Sequence, residues 1–210
     1  QGRLPVSVVV SIFKQLLDAL ECAHNVGILH RDVKPDNVMV FLDEEDNPRV
    51  KVLDFGLAKA LREVAGFEQR LSTNDMAFGT PHYMAPEQVP GSSQETIREP
   101  SDPYSVAVML FEVLTGYLHT TKEAVMDILM QKLDPGHDPM ASRPAQRLPP
   151  PLRAFLSRGL ARDPQDRFAS AALMRQELLK AVRSLGESIR SEAKPDPKPR
   201  DSVPVPAPED

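Results

Sequence analysis

Between Val8 and Gly27 the apolar residues Val9, Ile12, Leu16, Leu20 and Ala23 recur every three or four positions, with Leu17 and His24 beside the stripe. That period predicts an amphipathic helix, begun near Pro5 and stopped by Gly27. Two short β-rich runs follow, VMVFL at 38–42 and RVKVL at 49–53, joined by the acidic, turn-forming stretch DEEDNP. They predict a hairpin. The carboxylates of that stretch lack the glycine and distal glutamate of a calcium loop, so it reads as a solvated turn. Residues 57–101 show no sustained period and are rich in Ser, Thr, Gly and Pro, which predicts a long irregular connection of the kind that carries function. The run PYSVAVMLFEVLTG at 103–116 is apolar on nearly every side. It predicts a helix buried all round, with Asp102 as its cap and Pro103 in its first turn. Further helices are expected over 121–133, 151–160 and 170–185.

Beyond Gly186 the pattern dissolves. The stretch KPDPKPRDSVPVPAPED carries prolines at nearly alternate positions and almost no large apolar residues, which predicts an extended linker over 186–210 rather than a packed element. A docking motif for a proline-recognising domain is the less common reading of such composition. No internal repeat is visible.

Composition narrows the function classes. A chain of 210 residues with 41% hydrophobic content can bury a sizeable core. Its 25 basic residues against 30 acidic ones leave a net charge of -5, which provides no basic field for nucleic acid. The single cysteine, Cys22, excludes an intrachain disulfide and falls within the first helical pattern, where a small core residue in a reducing, cytoplasmic setting is expected. No apolar run is long enough to span a bilayer, and the N-terminus lacks the layout of a signal peptide. The chain starts at Gln1 rather than Met, so it is expected to be processed or cut from something longer.

The chemistry is concentrated in short strings. HRDVKPDN at 30–37 puts Asp32, Lys34 and Asn37 on one loop, with Pro35 blocking a helix. A turn needs no such density of polar groups. Past the hairpin stands DFG at 54–56, and past the long connection GTPHYMAPEQ at 79–88.

In content, order and spacing these strings, with the buried helix opened by Asp102, resemble the large helical lobe of the protein kinases. The likeness is greatest to the eukaryotic-like Ser/Thr kinases of bacteria. It implies a mainly α fold over residues 1–185, a helical bundle with a short β-hairpin at the catalytic loop. It also implies transfer of the γ-phosphoryl group of ATP to protein Ser or Thr hydroxyls with Mg2+, or Mn2+ in its place. Asp32 matches the carboxylate that orients the acceptor hydroxyl and takes its proton. Asn37 and Asp54 match the metal ligands, being hard oxygen donors. Lys34 matches the lysine that neutralises the transferred phosphate, and Thr80 belongs to the same catalytic set, although either residue can also serve only to hold a loop. The KP after Val33 and the GTP of 79–81 are the forms seen in Ser/Thr rather than tyrosine kinases.

The resemblance extends to supporting residues. His30 and Phe55 match positions that pack together beneath the site, Glu87 and Arg167 match a buried ion pair, and Asp102 matches a carboxylate that receives backbone donors of the catalytic loop. Arg31 matches an arginine that pairs with a phosphorylated loop residue, for which Ser72 and Thr73 are the candidates. The alternative is that these two are ordinary exposed hydroxyls.

The sequence also departs from the family. No glycine-rich phosphate loop, VAIK-type strand lysine or partnering helix glutamate is present, so the small N-terminal lobe is expected to be absent from these residues. The fragment alone is then expected to have negligible activity and to expose apolar surface around Phe55 and the hairpin. Pro103 follows Asp102, and Ala107 stands where a glycine is usual. Two readings remain: the catalytic lobe of a Ser/Thr kinase, whose parent chain could be anchored to a membrane beyond the linker, or a non-catalytic kinase-like module that binds protein partners.

Overall fold

The computed structural model describes residues 4–55, 81–89, 92 and 99–192, the last six as backbone only. The order of elements is α1 (Val6–His24), β1 (Val38–Leu42), β2 (Pro48–Val52), α2 (Ser101–Thr115), α3 (Val125–Leu133), α4 (Arg143–Gln146), α5 (Pro150–Gly159) and α6 (Ala171–Glu192), with single 3-10 turns between them. The expected mainly helical architecture with one hairpin is what the chain forms.

Helix α1 buries Val9, Phe13, Leu16, Leu17, Leu20 and His24, a stripe that faces α6, β2 and α2. Cys22 is exposed, contrary to the core position expected of it. It lies two residues from Leu20, about 200° round a helix of 3.6 residues per turn, and so points away from the stripe. The helix ends where Gly27 adopts φ 77°, letting Ile28 N reach back to Ala23 O at 2.9 Å and Gly27 N to His24 O at 2.9 Å. This paired closure needs a left-handed residue, which glycine adopts without a Cβ penalty.

The hairpin is antiparallel, pairing Val38 with Val52 and Leu42 with Pro48. Val38, Val50 and Val52 pack on the core. The Gln15 side chain seals the outer edge of β2, donating to Pro48 O at 2.8 Å and accepting from Val50 N at 3.3 Å, so α1 and the hairpin are held together by polar as well as apolar contact.

Helix α2 is the centre of the molecule, with every residue from Ser101 to Phe111 buried. Its polar residues are all spoken for: Ser101 Oγ donates to Glu87 at 2.6 Å and Ser105 Oγ to Tyr83 O at 2.8 Å. Asp102 is not its cap. The helix begins one residue earlier, after Pro100, and the Asp102 carboxylate is turned toward the loop after α1. Ala107 meets α5 at Gly159, where a Cβ would stand 2.8 Å from the Ala107 Cβ. The methyl group that departs from the family pattern is therefore accommodated by a glycine across the helix contact.

Two other boundaries differ from expectation. Helix α3 starts at Val125 rather than 121. Helix α6 runs through Gly186 to Glu192, because one glycine weakens a helix by roughly 1 kcal/mol without stopping it and the first proline comes only at Pro195. The linker expected over 186–210 is thus helical as far as Glu192, and its remainder, with the connection carrying Gly56, Ser72, Thr73, Gly79 and Thr80, lies outside the described residues. Among the described residues no helix is long and apolar enough to cross a membrane.

Candidate active site

The loop between α1 and β1 is organised from beneath by one buried carboxylate. Asp102 Oδ2 accepts from His30 N at 2.8 Å and from the His24 Nε2–H at 2.7 Å, while Oδ1 accepts from Arg31 N at 2.8 Å. Three donors on one carboxylate of 2% exposure satisfy a charge that would otherwise be costly to bury. They also hold Arg31 at φ 64°, a left-handed conformation that costs a residue with a Cβ about 1–2 kcal/mol.

His30 is completely buried and both of its ring nitrogens have structural partners. Nε2–H donates to Leu53 O at 2.9 Å, and Nδ1 accepts from Asp32 N at 3.3 Å. Its ring lies on Phe55 with centroids 4.8 Å apart. Imidazole and phenyl thus join the loop to the chain leaving β2, and no nitrogen is left to bind a metal or move a proton.

Above this platform stand the polar side chains. The Asp32 carboxylate accepts from Lys34 Nζ at 3.0 Å and from Asn37 Nδ2 at 3.3 Å, and Asn37 Nδ2 also donates to Asp32 O at 2.8 Å. Asn37 is locked by a one-turn 3-10 helix, Pro35–Asn37, whose geometry Pro35 pre-sets. The Leu53 N–H donates to Asn37 O at 2.8 Å, placing Asp54 at the base of the hairpin from Asn37. Asp54 is exposed and adopts φ 51°, a second strained residue at the same site. With its Nδ2 committed to Asp32, Asn37 keeps Oδ1 as an acceptor, and this oxygen and the exposed Asp54 carboxylate are the hard donors that could hold Mg2+, which keeps several waters and takes few protein ligands. Among the described residues no cluster of three or more His, Cys, Asp and Glu could hold a metal by itself.

The segment Pro81–Val89 walls the loop. Gln88 Nε2 donates to Arg31 O at 2.9 Å, and Tyr83 Oη donates to Glu112 at 2.6 Å. Burial and the Glu112 carboxylate together push the Tyr83 hydroxyl above its ordinary pKa. Glu87 is forked by Arg167 through two bonds of 2.8 Å, with both side chains at most 1% exposed. Of the residues singled out in the sequence, Asp32, Lys34, Asn37 and Asp54 converge at the loop and hairpin base, and His30, Phe55 and Asp102 lie under them. Arg31 contributes its backbone. Glu87 and Arg167 brace the wall from behind, while Thr80, Ser72 and Thr73 fall outside the described residues. The sequence reading missed His24 and Gln88. A histidine beside the apolar stripe of α1 was the only signal for His24, and nothing local marked Gln88.

The profile of the protein kinase domain family matches residues 1–179. The chain is 34% identical over 178 residues to serine/threonine-protein kinase PknL of Mycobacterium tuberculosis, covering 85% of this chain and 41% of PknL. It is 37% identical over 171 residues to serine/threonine-protein kinase pkn3 of Myxococcus xanthus, covering 81% of this chain and 30% of that one. It thus spans less than half the length of these relatives. The crystal structure of Rad53 1-466 in complex with AMP-PNP has a similar fold, with a TM-score of 0.61 and 26% identity over 84% of this chain and 41% of that one. The chain therefore belongs to the protein kinase domain family.

Proposed function

We propose that these residues form the large catalytic lobe of a kinase that transfers the γ-phosphoryl group of ATP to Ser and Thr hydroxyls of proteins. The observation that carries the reading is the Asp32 carboxylate, held by Lys34 and Asn37 on a loop whose backbone is strained into place by Asp102. Asp32 orients the acceptor hydroxyl and takes its proton as the oxygen bonds to the γ-phosphorus and the bond to the ADP oxygen breaks. Lys34, whose ammonium stands 3.0 Å from Asp32, neutralises the phosphoryl group in transit. Asn37 Oδ1 and the Asp54 carboxylate would hold Mg2+, or Mn2+ in its place, which would supply charge neutralisation at the nucleotide phosphates. The Rad53 complex with AMP-PNP supports an adenine nucleotide as the donor. Thr80 completes the acceptor side. Arg31 is the partner for a phosphate on Ser72 or Thr73, and a cytoplasmic setting fits the use of ATP.

A smaller lobe carrying a glycine-rich loop and a lysine completes the nucleotide site. The exposure of Met39 (49%), Val40 (46%), Phe41 (47%) and Leu42 (62%) beside Asn37 supports a surface made to be covered. Without that lobe the 210 residues transfer phosphate at least about 10²- to 10³-fold more slowly, the usual cost of a single missing preorganised donor.

The test is Mg2+-dependent transfer of labelled phosphate from ATP to a generic Ser/Thr substrate. It compares the 210-residue chain, the whole product of its gene, and that product with Asp32→Asn. Transfer by the whole product, reduced about 10²- to 10⁴-fold by Asp32→Asn, is expected. Folded wild-type protein that transfers nothing would overturn the reading in favour of a kinase-like module that binds partners.

A further inference from the structure

Lys132 is the least expected group in the interior. It lies on the buried stripe of α3 with Ile128 and Leu129 and is 3% exposed, yet it has no ion-pair partner among the described residues. Burying an unpaired ammonium costs several kcal/mol, so the bonds it does make are informative. Nζ donates to His82 O at 2.8 Å, lies 3.4 Å from His119 Nε2 and stands 5.2 Å from the Tyr104 ring centroid. Asp134 and Asp138 line with it a cavity of about 160 Å³, but the ammonium donates to the His82 carbonyl and makes no ion pair with either of them among the described residues. Burial and the Arg167 guanidinium, opposed by Glu87, bring its pKa down to about 7.

His82 opens the segment that walls the catalytic loop, and that segment is held from three sides. Gln88 ties it to Arg31 O. Helix α2 ties it through Ser105 to Tyr83 O and through Glu112 to Tyr83 Oη. The connection into α3 ties it through Thr120 Oγ1, 2.6 Å from His82 Nδ1, and α3 through Lys132. None of these bonds reaches Asn37 or Asp54, the donor pair assigned to the nucleotide's metal. The segment therefore adjoins Asp32 through Arg31 while remaining separate from the nucleotide side of the site.

From this we infer that Lys132 is a positioning residue for the acceptor polypeptide: by holding the His82 carbonyl it sets Pro81–Gln88 in the register along which a Ser- or Thr-bearing segment reaches Asp32. The inference rests on the kinase reading. Either protonation state of the amine can donate this bond, so the role depends on the donor rather than the charge.

The experiment uses the whole gene product with Lys132→Met, which keeps length and volume but removes the donor. Thr120→Val, which cuts the second tie to His82, is the independent variant should Lys132→Met fail to fold. With a synthetic Ser/Thr acceptor peptide, the peptide KM is expected to rise about tenfold, the worth of one such bond, while the KM for ATP changes by less than about twofold. Amide hydrogen exchange at Tyr83–Val89 is expected to quicken in both variants without nucleotide. An equal rise in both KM values, a fall in kcat alone, or unchanged exchange in an active enzyme would overturn the role of Lys132. A wild type that transfers no phosphate would instead remove the kinase reading and the acceptor role with it.

Discussion

Arg167→Met should be among the most damaging single substitutions away from the catalytic loop. The guanidinium has five N–H donors, and all five are used. Nε donates to Ala161 O at 2.7 Å, one terminal nitrogen to Glu87 at 2.8 Å and Pro100 O at 3.4 Å, and the other to Glu87 and Arg162 O, each at 2.8 Å. Methionine fills much of the volume but, among the described residues, leaves the Glu87 carboxylate with only the Ser101 hydroxyl, at 2.6 Å. Leaving one partner of a buried pair charged costs about 3–5 kcal/mol, and the three orphaned carbonyls add to that. Natural stabilities are about 5–15 kcal/mol, so the loss consumes a large share of the total. At about 2–4 °C per kcal/mol for a chain of this size, the thermal midpoint falls by roughly 10 °C. Urea unfolding followed by circular dichroism measures the loss directly. The double variant Arg167→Met/Glu87→Met supplies the decisive comparison, because removing both charges leaves nothing unpaired and should recover much of the stability. A single variant within about 1 kcal/mol of wild type, or a double variant as unstable as the sum of the singles, would refute the reasoning.

Asp102→Asn withdraws the charge from three donors and should cost about 2–3 kcal/mol while slowing phosphate transfer, since the loop that carries Asp32 loses its anchor; unfolding and activity measured together test this. Acid should destabilise the chain through the cluster around α3. Burial, with Lys132 nearby, lowers the pKa values of His82, His119 and His137 below their ordinary 6.5, so the unfolded state takes up protons first and stability present above pH 6.5 is lost below it. Lys132 acts in the same sense, its contribution falling as pH drops from its ordinary 10.5 toward about 7. His119→Phe should flatten the unfolding midpoint against pH below 6.5, and an unchanged slope would count against this account. Gly159→Ala should lose about 1–2 kcal/mol despite its better helix propensity, because its Cβ would meet that of Ala107. Adding Ala107→Gly should restore the steric part, as thermal melts of the two variants would show.

Much of this protein could be read along the chain because local interactions carry it. The three-to-four-residue spacing from Val9 to Leu20 specifies α1, the β-rich runs on either side of DEEDNP specify the hairpin, and the all-round apolar run after Asp102 specifies a central helix. The strings around Asp32 and Asp54 name oxygen donors and a base at fixed spacing, and so a chemistry. The resemblance also named the buried pair of Glu87 and Arg167, which meet across 80 residues. What the residues alone could not disclose is where other buried polar groups find partners: His24 meets Asp102 across 78 residues, and Lys132 reaches a backbone carbonyl 50 residues away. Cys22 was misplaced for the same reason, and Asp102 was misread as a helix cap although the resemblance named its role toward the catalytic loop, since the face a helix buries and the start of a helix are set by what packs against them. A polar side chain is buried only where a partner repays its lost hydration, and only the tertiary fold brings that partner to it.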